Sequence, residues 1–354
     1  MPTREPWRWR GRVTDSAPPV GFLLHPDAPL HDTGWRHPEH QGRLRALAST
    51  VGQDLLVLHE KVVQVEPGQV TEEDLLRVHA PEYLAQLRTY VDRAEKEGAP
   101  VRIEADTMVS AASWGAATGS TAALLTAVGQ VADGTLSSAF VATRPPGHHA
   151  TPERAMGFCL INHVAVAARW LQATGRADRV LVVDWDVHHG NGTQDTFYAD
   201  GTVFYLSLHQ SPHYPGTGAA SETGIGDGAG WTLNVPLPAG IDAAEYRQHF
   251  SRALEQGLET CRPDFILISA GFDVMAGDPL GGMLLEPEDL YGLTREVMEG
   301  AARESIAGAA TESGDRGSRG AGVVAALEGG YDPARTGLGA AAVLRALAGI
   351  DGLR

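Results

Sequence analysis

Two carboxylates and an imidazole stand at every second position directly after a short apolar run. Asp184, Asp186 and His188 follow the run Val180–Val183. In an extended chain, side chains two positions apart point the same way, so we expect these groups to converge. A further carboxylate, Asp278, lies between Gly277 and Pro279. Carboxylates and imidazoles are ligands of transition metals, so the sequence predicts a metal site formed by Asp186, His188 and Asp278.

Three protein ligands leave coordination positions open, which a catalytic metal site requires. Mixed oxygen and nitrogen donors suit Zn²⁺, and they also suit Fe²⁺ or Co²⁺. In the alternative explanation, Asp186 and Asp278 cap helices and His188 is a hydrogen-bonded core histidine. That alternative accounts for each residue alone, whereas the metal site accounts for all three together.

A second pair of adjacent histidines, His148 and His149, follows a Pro-Pro-Gly turn. A positioned histidine can act as base and then as acid, because its pKa lies near neutrality. Asp184 and Asn191 flank the metal motif and are the expected orienting partners of these two rings. Tyr331 follows two glycines, and its hydroxyl can stabilise an oxyanion. The alternative for this residue is a tyrosine that simply packs at a strand end.

Five short apolar runs are typical of parallel strands that are buried on both faces. The predicted strands are Ala139–Ala142, Val180–Val183, Val203–Leu208, Phe265–Ser269 and Val323–Leu327. The predicted helices are Thr71–Ala94, Ser110–Val131, Asn162–Thr174 and Ala243–Thr260. The alternation predicts an α/β fold with one doubly wound, mostly parallel sheet. Reactive residues follow every predicted strand, so we expect one site at the carboxyl ends of the strands.

The 354-residue chain is long enough for a single large domain, which we place at residues 20–354. Residues 1–19 carry proline and arginine with little periodicity, and we interpret them as an N-terminal extension. The polar, glycine-rich segment Gly308–Gly322 is predicted to be a flexible loop within the domain.

Composition narrows the cellular setting and the partners. The net charge of −16 disfavours binding to nucleic acid, whose phosphates the acidic chain repels. The sequence contains no apolar stretch long enough to span a membrane, and its first residues do not resemble a secretory signal. The two cysteines, Cys159 and Cys261, are too few for a disulfide framework. We therefore expect a cytoplasmic protein with no membrane or nucleic-acid partner.

Seven motifs resemble those of the zinc-dependent histone deacetylase family, in particular its class II branch and the bacterial deacetylase-like amidohydrolases. They are RPPGHHA (144–150), GFCLIN (157–162), VDWDVHHGNGTQ (183–194), SLH (207–209), SAGFD (269–273), GDPLGGM (277–283) and LEGGYD (327–332). The resemblance extends from about His37 to the end of the chain. It implies the arginase–deacetylase fold with about eight strands, and a catalytic domain that hydrolyses an N-acetyl amide to acetate and a free amine.

The resemblance also assigns roles to individual residues. It implies that Asp186, His188 and Asp278 bind zinc, which activates a water molecule. His149 is then the general base and acid, and His148, paired with Asp184, is its electrostatic partner. Tyr331 would hold the oxyanion together with the metal.

Further assignments concern the substrate tunnel and a structural ion. Gly157 would accept a hydrogen bond from the scissile amide, while Phe158 and Tyr214 would flank the methylene chain of the substrate. The resemblance implies a structural K⁺ held by main-chain oxygens of Asp184, Asp186, His188, Ser207 and Leu208. Arg43 resembles the arginine that lines an internal acetate channel in the family. Asp106 is either a rim carboxylate that clamps a peptide backbone or a solvated loop residue.

Several positions distinguish this sequence from other branches of the family. Asn191 stands where many class I members have aspartate, and Tyr214 replaces the commoner phenylalanine. Tyr331 is present where weakly active members carry histidine, so we expect a competent hydrolase. Leu280 stands where polyamine-selective relatives can carry a glutamate, which disfavours acetylpolyamine substrates.

The leading prediction is a deacetylase that acts on acetyl-lysine or on a small acetylated amine. The alternatives are an amidohydrolase for acetylpolyamines or secondary metabolites, and a catalytically inactive binding protein. A two-manganese ureohydrolase is disfavoured, because Gly190 stands where that chemistry needs a bridging carboxylate.

Overall fold

One eight-stranded sheet organises the molecule. The computed structural model describes residues 17–34, 36–308 and 320–351. The sheet strands are β1 (Val20–Leu23), β2 (Val62–Gln64), β5 (Ser138–Val141), β6 (Val180–Asp184), β7 (Val203–Gln210), β8 (Thr232–Leu237), β9 (Phe265–Ala270) and β10 (Gly322–Leu327). Their order is β2-β1-β5-β10-β9-β6-β7-β8, and every neighbouring pair is parallel. A separate antiparallel pair is formed by β3 (Val101–Arg102) and β4 (Met108–Val109).

Helices cover the sheet on both faces. They are α1 (Gly42–Gln53), α2 (Leu55–Leu58), α3 (Glu72–Leu76), α4 (Pro81–Glu97), α5 (Ser113–Ala132), α6 (His163–Ala173), α7 (Asn191–Phe197), α8 (Ala243–Cys261), α9 (Pro287–Gly308) and α10 (Pro333–Leu347). Short 3₁₀ helices lie at Ala28–Leu30 and Gly226–Gly228.

Successive residues of the central strands pack into two different cores. Val180 and Val182 of β6 contact the core that contains residues of α4, α5 and α6. Leu181 and Val183 contact the opposite core, which contains residues of α1, α8, α9 and α10. Because side chains of a strand alternate between faces, both faces of a covered parallel sheet must be apolar. This explains why the central strands are continuous apolar runs.

The predicted parallel α/β sheet is confirmed, but one predicted helix is wrong. The segment Thr71–Ala94 forms two helices, α3 and α4, rather than one. The break lies before Pro81, where Ala80 is extended with φ −62° and ψ 141°. Proline disfavours the helical conformation in the residue before it, and its own missing N–H suits the first turn of a new helix.

The other predicted elements are present with bounds shifted by a few residues. Strand β5 lies one residue earlier than predicted, and helix α5 begins at Ser113 rather than Ser110. The predicted loop lies mostly outside the described residues, although Gly308 ends α9 and Gly322 begins β10. Most of the predicted N-terminal extension, residues 1–16, also lies outside them. Among the described helices, none has both the length and the hydropathy of a transmembrane span.

Candidate active site

The carboxyl ends of β5, β6, β7, β9 and β10 meet at one edge of the sheet, because these strands are parallel neighbours. A cavity of about 460 Å³ opens there. Its lining includes predicted site residues from five loops, namely His149, Gly157, Phe158, His188, Tyr214, Leu280 and Tyr331. The topology therefore brings together residues that are up to 182 positions apart, from His149 to Tyr331.

A compact group of metal-ligand types lies beside this cavity. Candidate donor atoms of Asp186, His188 and Asp273 all lie within 4.8 Å of one another. His188 Nδ1 is 3.0 Å from Asp186 Oδ1 and 3.2 Å from Asp273 Oδ2. Asp273 is fully buried, yet its Oδ2 receives no hydrogen bond of normal geometry. Buried carboxylates need compensation, so this donor set fits a divalent cation.

The predicted third ligand, Asp278, is not a member of this compact group, and main-chain amides hold its carboxylate. Its Oδ2 accepts hydrogen bonds from the N–H groups of Tyr331 at 2.6 Å and Asp332 at 3.2 Å. Its Oδ1 accepts a bond from Leu280 N–H at 2.9 Å. Asp273 is the carboxylate that the sequence prediction did not assign. The sequence feature that could have identified Asp273 is its position at the end of the motif Ser269–Asp273, which follows β9.

His148 and His149 have different partners at the end of β5. His148 Nδ1 lies 3.1 Å from Asp184 Oδ2, and His149 Nδ1 lies 2.9 Å from Asn191 Oδ1. The two ring centroids are 4.1 Å apart. Strand β6 supplies Asp184 as its last residue, while Asn191 is the first residue of α7. The structure thus brings together the two pairs that the sequence suggested.

These partners give the two neighbouring imidazoles different protonation states. Burial lowers the pKa of His148, but the carboxylates of Asp186 and Asp184 outweigh it and raise this pKa to about 10. Burial lowers the pKa of His149 well below its ordinary value, and neighbouring His148 and His188 lower it further. His148 is therefore a cation at neutral pH, whereas His149 is a neutral base.

Tyr331 lies in the turn after β10, and two glycines allow the turn to pass close to the carboxylates. A side chain at Gly329 would place its Cβ 2.0 Å from Asp273 Oδ2, and Gly330 has φ +113°. The Tyr331 side chain is buried, with its ring 5.6 Å from that of Phe158. Burial, with Asp273 nearby, raises the pKa of Tyr331 well above its ordinary value. Its hydroxyl consequently remains a hydrogen-bond donor at neutral pH.

A buried cluster of charged side chains, Arg43, Glu39 and Arg144, packs against this turn. Arg43 donates to the carbonyl oxygens of Gly330 and Glu328, both at 2.5 Å, and its guanidinium lies 4.9 Å from the Tyr331 ring centroid. Glu39 pairs with Arg43 at 3.1 Å and with Arg144 at 2.7 Å. Burial raises the pKa of Glu39, but Arg144 and Arg43 outweigh it and lower that pKa to about 2.

Two aromatic residues, Phe158 and Tyr214, line the cavity. Phe158 has a left-handed backbone with φ +68°, and its N–H donates to Thr107 Oγ1 at 3.1 Å. Tyr214 is 38% exposed, and its ring lies 5.2 Å from that of His149. Asp106 also lines the cavity, and its carbonyl oxygen lies 3.1 Å from His37 Nε2. The lining therefore combines two aromatic rings with one carboxylate residue.

His213 is a cavity residue that sequence reasoning missed. Its ring stacks on His188 with a centroid distance of 4.9 Å, and its Nε2 lies 2.8 Å from the carbonyl oxygen of Leu280. It therefore connects the loop after β7 with the loop after β9. No spacing signal in the sequence distinguishes it from an ordinary loop histidine.

The residues predicted to hold K⁺ lie on two adjacent strands. Asp184 of β6 is the register partner of Ser207 of β7, and Leu208 follows on the same strand. Asp186 and His188 lie in the loop that continues β6. Their carbonyl positions thus belong to one end of one strand pair.

Comparisons with known proteins show the family to which the chain belongs. Residues 37–347 match the family described as "Histone deacetylase domain". A "Probable deacetylase" of Archaeoglobus fulgidus is 33% identical over 336 residues, which cover 94% of this chain and 87% of the relative. "Histone deacetylase 7" of Homo sapiens is 34% identical over 330 residues, covering 84% of this chain and 32% of that protein.

A solved structure of a related protein has the same fold as this chain. The crystal structure of the HDA15 HD domain superposes with a TM-score of 0.83 at 32% sequence identity, covering 94% of this chain and 89% of that one. The resemblance predicted from the motifs and the predicted fold are both confirmed. The chain belongs to the histone deacetylase family, whose members hydrolyse acetylated substrates.

Proposed function

We propose that this protein is a metal-dependent deacetylase that hydrolyses the N-acetyl amide of acetyl-lysine or of a small acetylated amine. The products are acetate and the free amine. The observation that carries the proposal is the neutral His149, oriented by Asn191, at the base of a cavity that also exposes Tyr331 and His188.

Asp186 and His188 of the compact donor group, together with one further carboxylate, suit a zinc ion, and Fe²⁺ or Co²⁺ would also fit these oxygen and nitrogen donors. We propose Asp186, His188 and Asp278 as ligands, with Asp273 beside His188. When bound, such an ion supplies Lewis-acid polarisation of a carbonyl and lowers the pKa of a water molecule. The K⁺ site on main-chain oxygens of β6 and β7 is a further proposal of the same kind.

The chain's own residues can move the protons. An amide oxygen can only accept, so the Asn191 contact places a proton on His149 Nδ1 and leaves Nε2 as the base. Nε2 takes a proton from the attacking water and delivers it to the nitrogen of the departing amine. The cationic His148 beside it disfavours a long-lived second cation on His149, which favours that delivery.

Tyr331 and the tunnel walls complete the proposed reaction. The protonated hydroxyl of Tyr331 donates to the acetyl oxygen, and this bond strengthens as negative charge develops there. Phe158 and Tyr214 enclose an apolar methylene chain, and the Gly157 carbonyl is available to the scissile N–H. Leu280 offers no charge to a second ammonium group, which favours acetyl-lysine over acetylpolyamines.

Substrate profiling tests the proposal. We expect metal-replete protein to hydrolyse acetyl-lysine peptides with a higher kcat/KM than N-acetylputrescine or N-acetylcadaverine. A preference of about two orders of magnitude for the acetylpolyamines, equal to about 2.7 kcal/mol of transition-state binding, would overturn the argument from Leu280. Absence of hydrolysis on every acetylated amine would support a binding protein instead.

We also propose a cytoplasmic location for this protein, on the basis of its amino-acid composition.

A further inference from the structure

Glu328 is a buried carboxylate next to the active site that the proposed reaction does not use. It directly follows β10 and is 1% exposed. Its Oε2 accepts hydrogen bonds from the N–H groups of Gly147 at 2.6 Å and His148 at 3.1 Å. Its Oε1 accepts a hydrogen bond from the Ser269 hydroxyl at 3.1 Å. One side chain therefore joins the end of β10 to the loop that carries the catalytic histidines.

The backbone of that loop has few N–H donors, although its carbonyl oxygens have partners of their own: His163 Nε2 lies 3.0 Å from the Pro145 oxygen, and Thr193 N–H donates to the His148 oxygen at 3.1 Å. Pro145 and Pro146 have no N–H groups, so Gly147 is the first residue after Arg144 whose amide can donate. The loop is also tightly packed at Gly147. A side chain there would place its Cβ only 2.9 Å from the carbonyl oxygen of Ile161. Glu328 thus binds the loop where it is both closely packed and short of donors.

We propose that Glu328 is a positioning residue for the deacetylation proposed above, on which this inference rests. Its carboxylate fixes the peptide groups of Gly147 and His148, and thereby the placement of both imidazoles. A displacement of this backbone would change the His148–Asp184 contact of 3.1 Å and the His149–Asn191 contact of 2.9 Å together. Glu328 acts through the loop and touches no reacting atom.

Two substitutions separate hydrogen bonding from charge. Glu328→Gln keeps an oxygen that can accept from both amides, and its NH₂ group can donate to the Ser269 hydroxyl. Glu328→Met fills similar space without an acceptor. A matched control lies at the opposite edge of the sheet, where Asp264 Oδ2 accepts bonds from the N–H groups of Asp178 and Arg179, both at 2.9 Å.

The experiment measures kcat, KM, metal content and amide hydrogen exchange of residues 144–150 in these variants. We expect Glu328→Met to lower kcat on an acetyl-lysine peptide by on the order of 100-fold while KM and metal content change little. Glu328→Gln should keep kcat within about threefold of the wild type, because it keeps the hydrogen-bond geometry. Asp264→Ala should lower thermal stability without lowering kcat.

Hydrogen exchange distinguishes this inference from the proposed function. The amides of Gly147 and His148 should exchange at least about tenfold faster in Glu328→Met than in the wild type or in Glu328→Gln. Unchanged exchange in folded Glu328→Met would overturn the inference, whatever the wild type hydrolyses. If Glu328→Met does not fold, the Gln variant decides: a loss of kcat in folded, metal-replete Glu328→Gln means that charge acts rather than positioning. An inactive wild type with the expected exchange pattern would overturn the proposed function alone.

Discussion

At the scale of single residues, neighbours rather than residue type decide what each histidine can do. His148 contacts two carboxylates and is cationic, whereas His149 contacts an amide oxygen and is neutral. His188 Nδ1 lies close to oxygens of both Asp186 and Asp273, so three potential ligand atoms for one metal ion converge there. His189 contacts the neutral side chains of Thr217 and Gln194, and burial lowers its pKa to about 3. We infer one ligand, one base and two supporting groups.

The hydroxyl of Tyr331 is expected to act only as charge develops on the acetyl oxygen. Tyr331→Phe keeps the ring that packs on Phe158 and removes the donor. We predict a kcat lower by about 10²- to 10³-fold, the range observed when one oxyanion donor is removed, with KM nearly unchanged. Steady-state kinetics on an acetyl-lysine peptide measures both constants. An equal loss in 1/KM with intact kcat would instead assign Tyr331 to ground-state binding.

Two carboxylates compete for the third ligand position. Asp278 is predicted from the motif, whereas Asp273 lies in the compact donor group of the structure. We predict that Asp278→Asn lowers zinc affinity more than Asp273→Asn, whose loss we expect within about 10- to 100-fold as for residues that support a ligand. Plasma mass spectrometry of dialysed protein gives the zinc content, and circular dichroism checks folding. The reverse order would assign the third position to Asp273.

At the scale of secondary-structure elements, the sequence predicts the strands that are buried on both faces and does not predict the shorter or partly exposed strands. The central strands were predicted because two cores require continuous apolar runs. Strand β8 alternates in burial and contains Pro236 at the open edge of the sheet, so it lacks that signal. Strands β1 and β2 have only four and three residues. The break between α3 and α4 follows from the effect of Pro81 on the residue before it, and hydrophobic periodicity does not reveal that effect.

His79 lies between α3 and α4 and makes these elements sensitive to acid. Its Nε2 accepts from Asn162 N–H at 3.0 Å, and its Nδ1 lies 3.1 Å from the Thr151 carbonyl oxygen, so the folded state needs the neutral ring. Burial lowers the pKa of His79 to about 4, which the Thr151 hydrogen bond only partly offsets. The unfolded chain binds a proton near pH 6.5, so stability falls as pH decreases from about 6.5 to 4.

We predict that His79 contributes about 3 kcal/mol to this loss of unfolding free energy. His79→Gln should therefore show a shallower decrease between pH 6.5 and 4 than the wild type, even if it is less stable at pH 7. Urea unfolding at several pH values, at equal metal occupancy, provides the comparison. Parallel curves for the two proteins would show that His79 is protonated equally in the folded and unfolded states.

At the scale of the whole molecule, parallel topology explains why the site could be predicted without contacts. Every reactive run follows a strand, and parallel strands place their carboxyl ends at one edge. Side-chain contacts between loops could not be predicted in this way. The stacking of His213 on His188 and the bond from Glu328 to Gly147 depend on loop paths that periodicity does not encode.

Acetate release is the most direct measure of the proposed hydrolysis and of the role of His149 in it. Protein loaded with one zinc equivalent is incubated with an acetyl-lysine peptide at pH 7.5, and acetate is quantified for the wild type and for His149→Ala. We predict turnover by the wild type and a kcat lower by at least about 10²-fold in the variant, because base and acid are lost together. Equal acetate release by both folded, zinc-containing proteins would contradict this prediction.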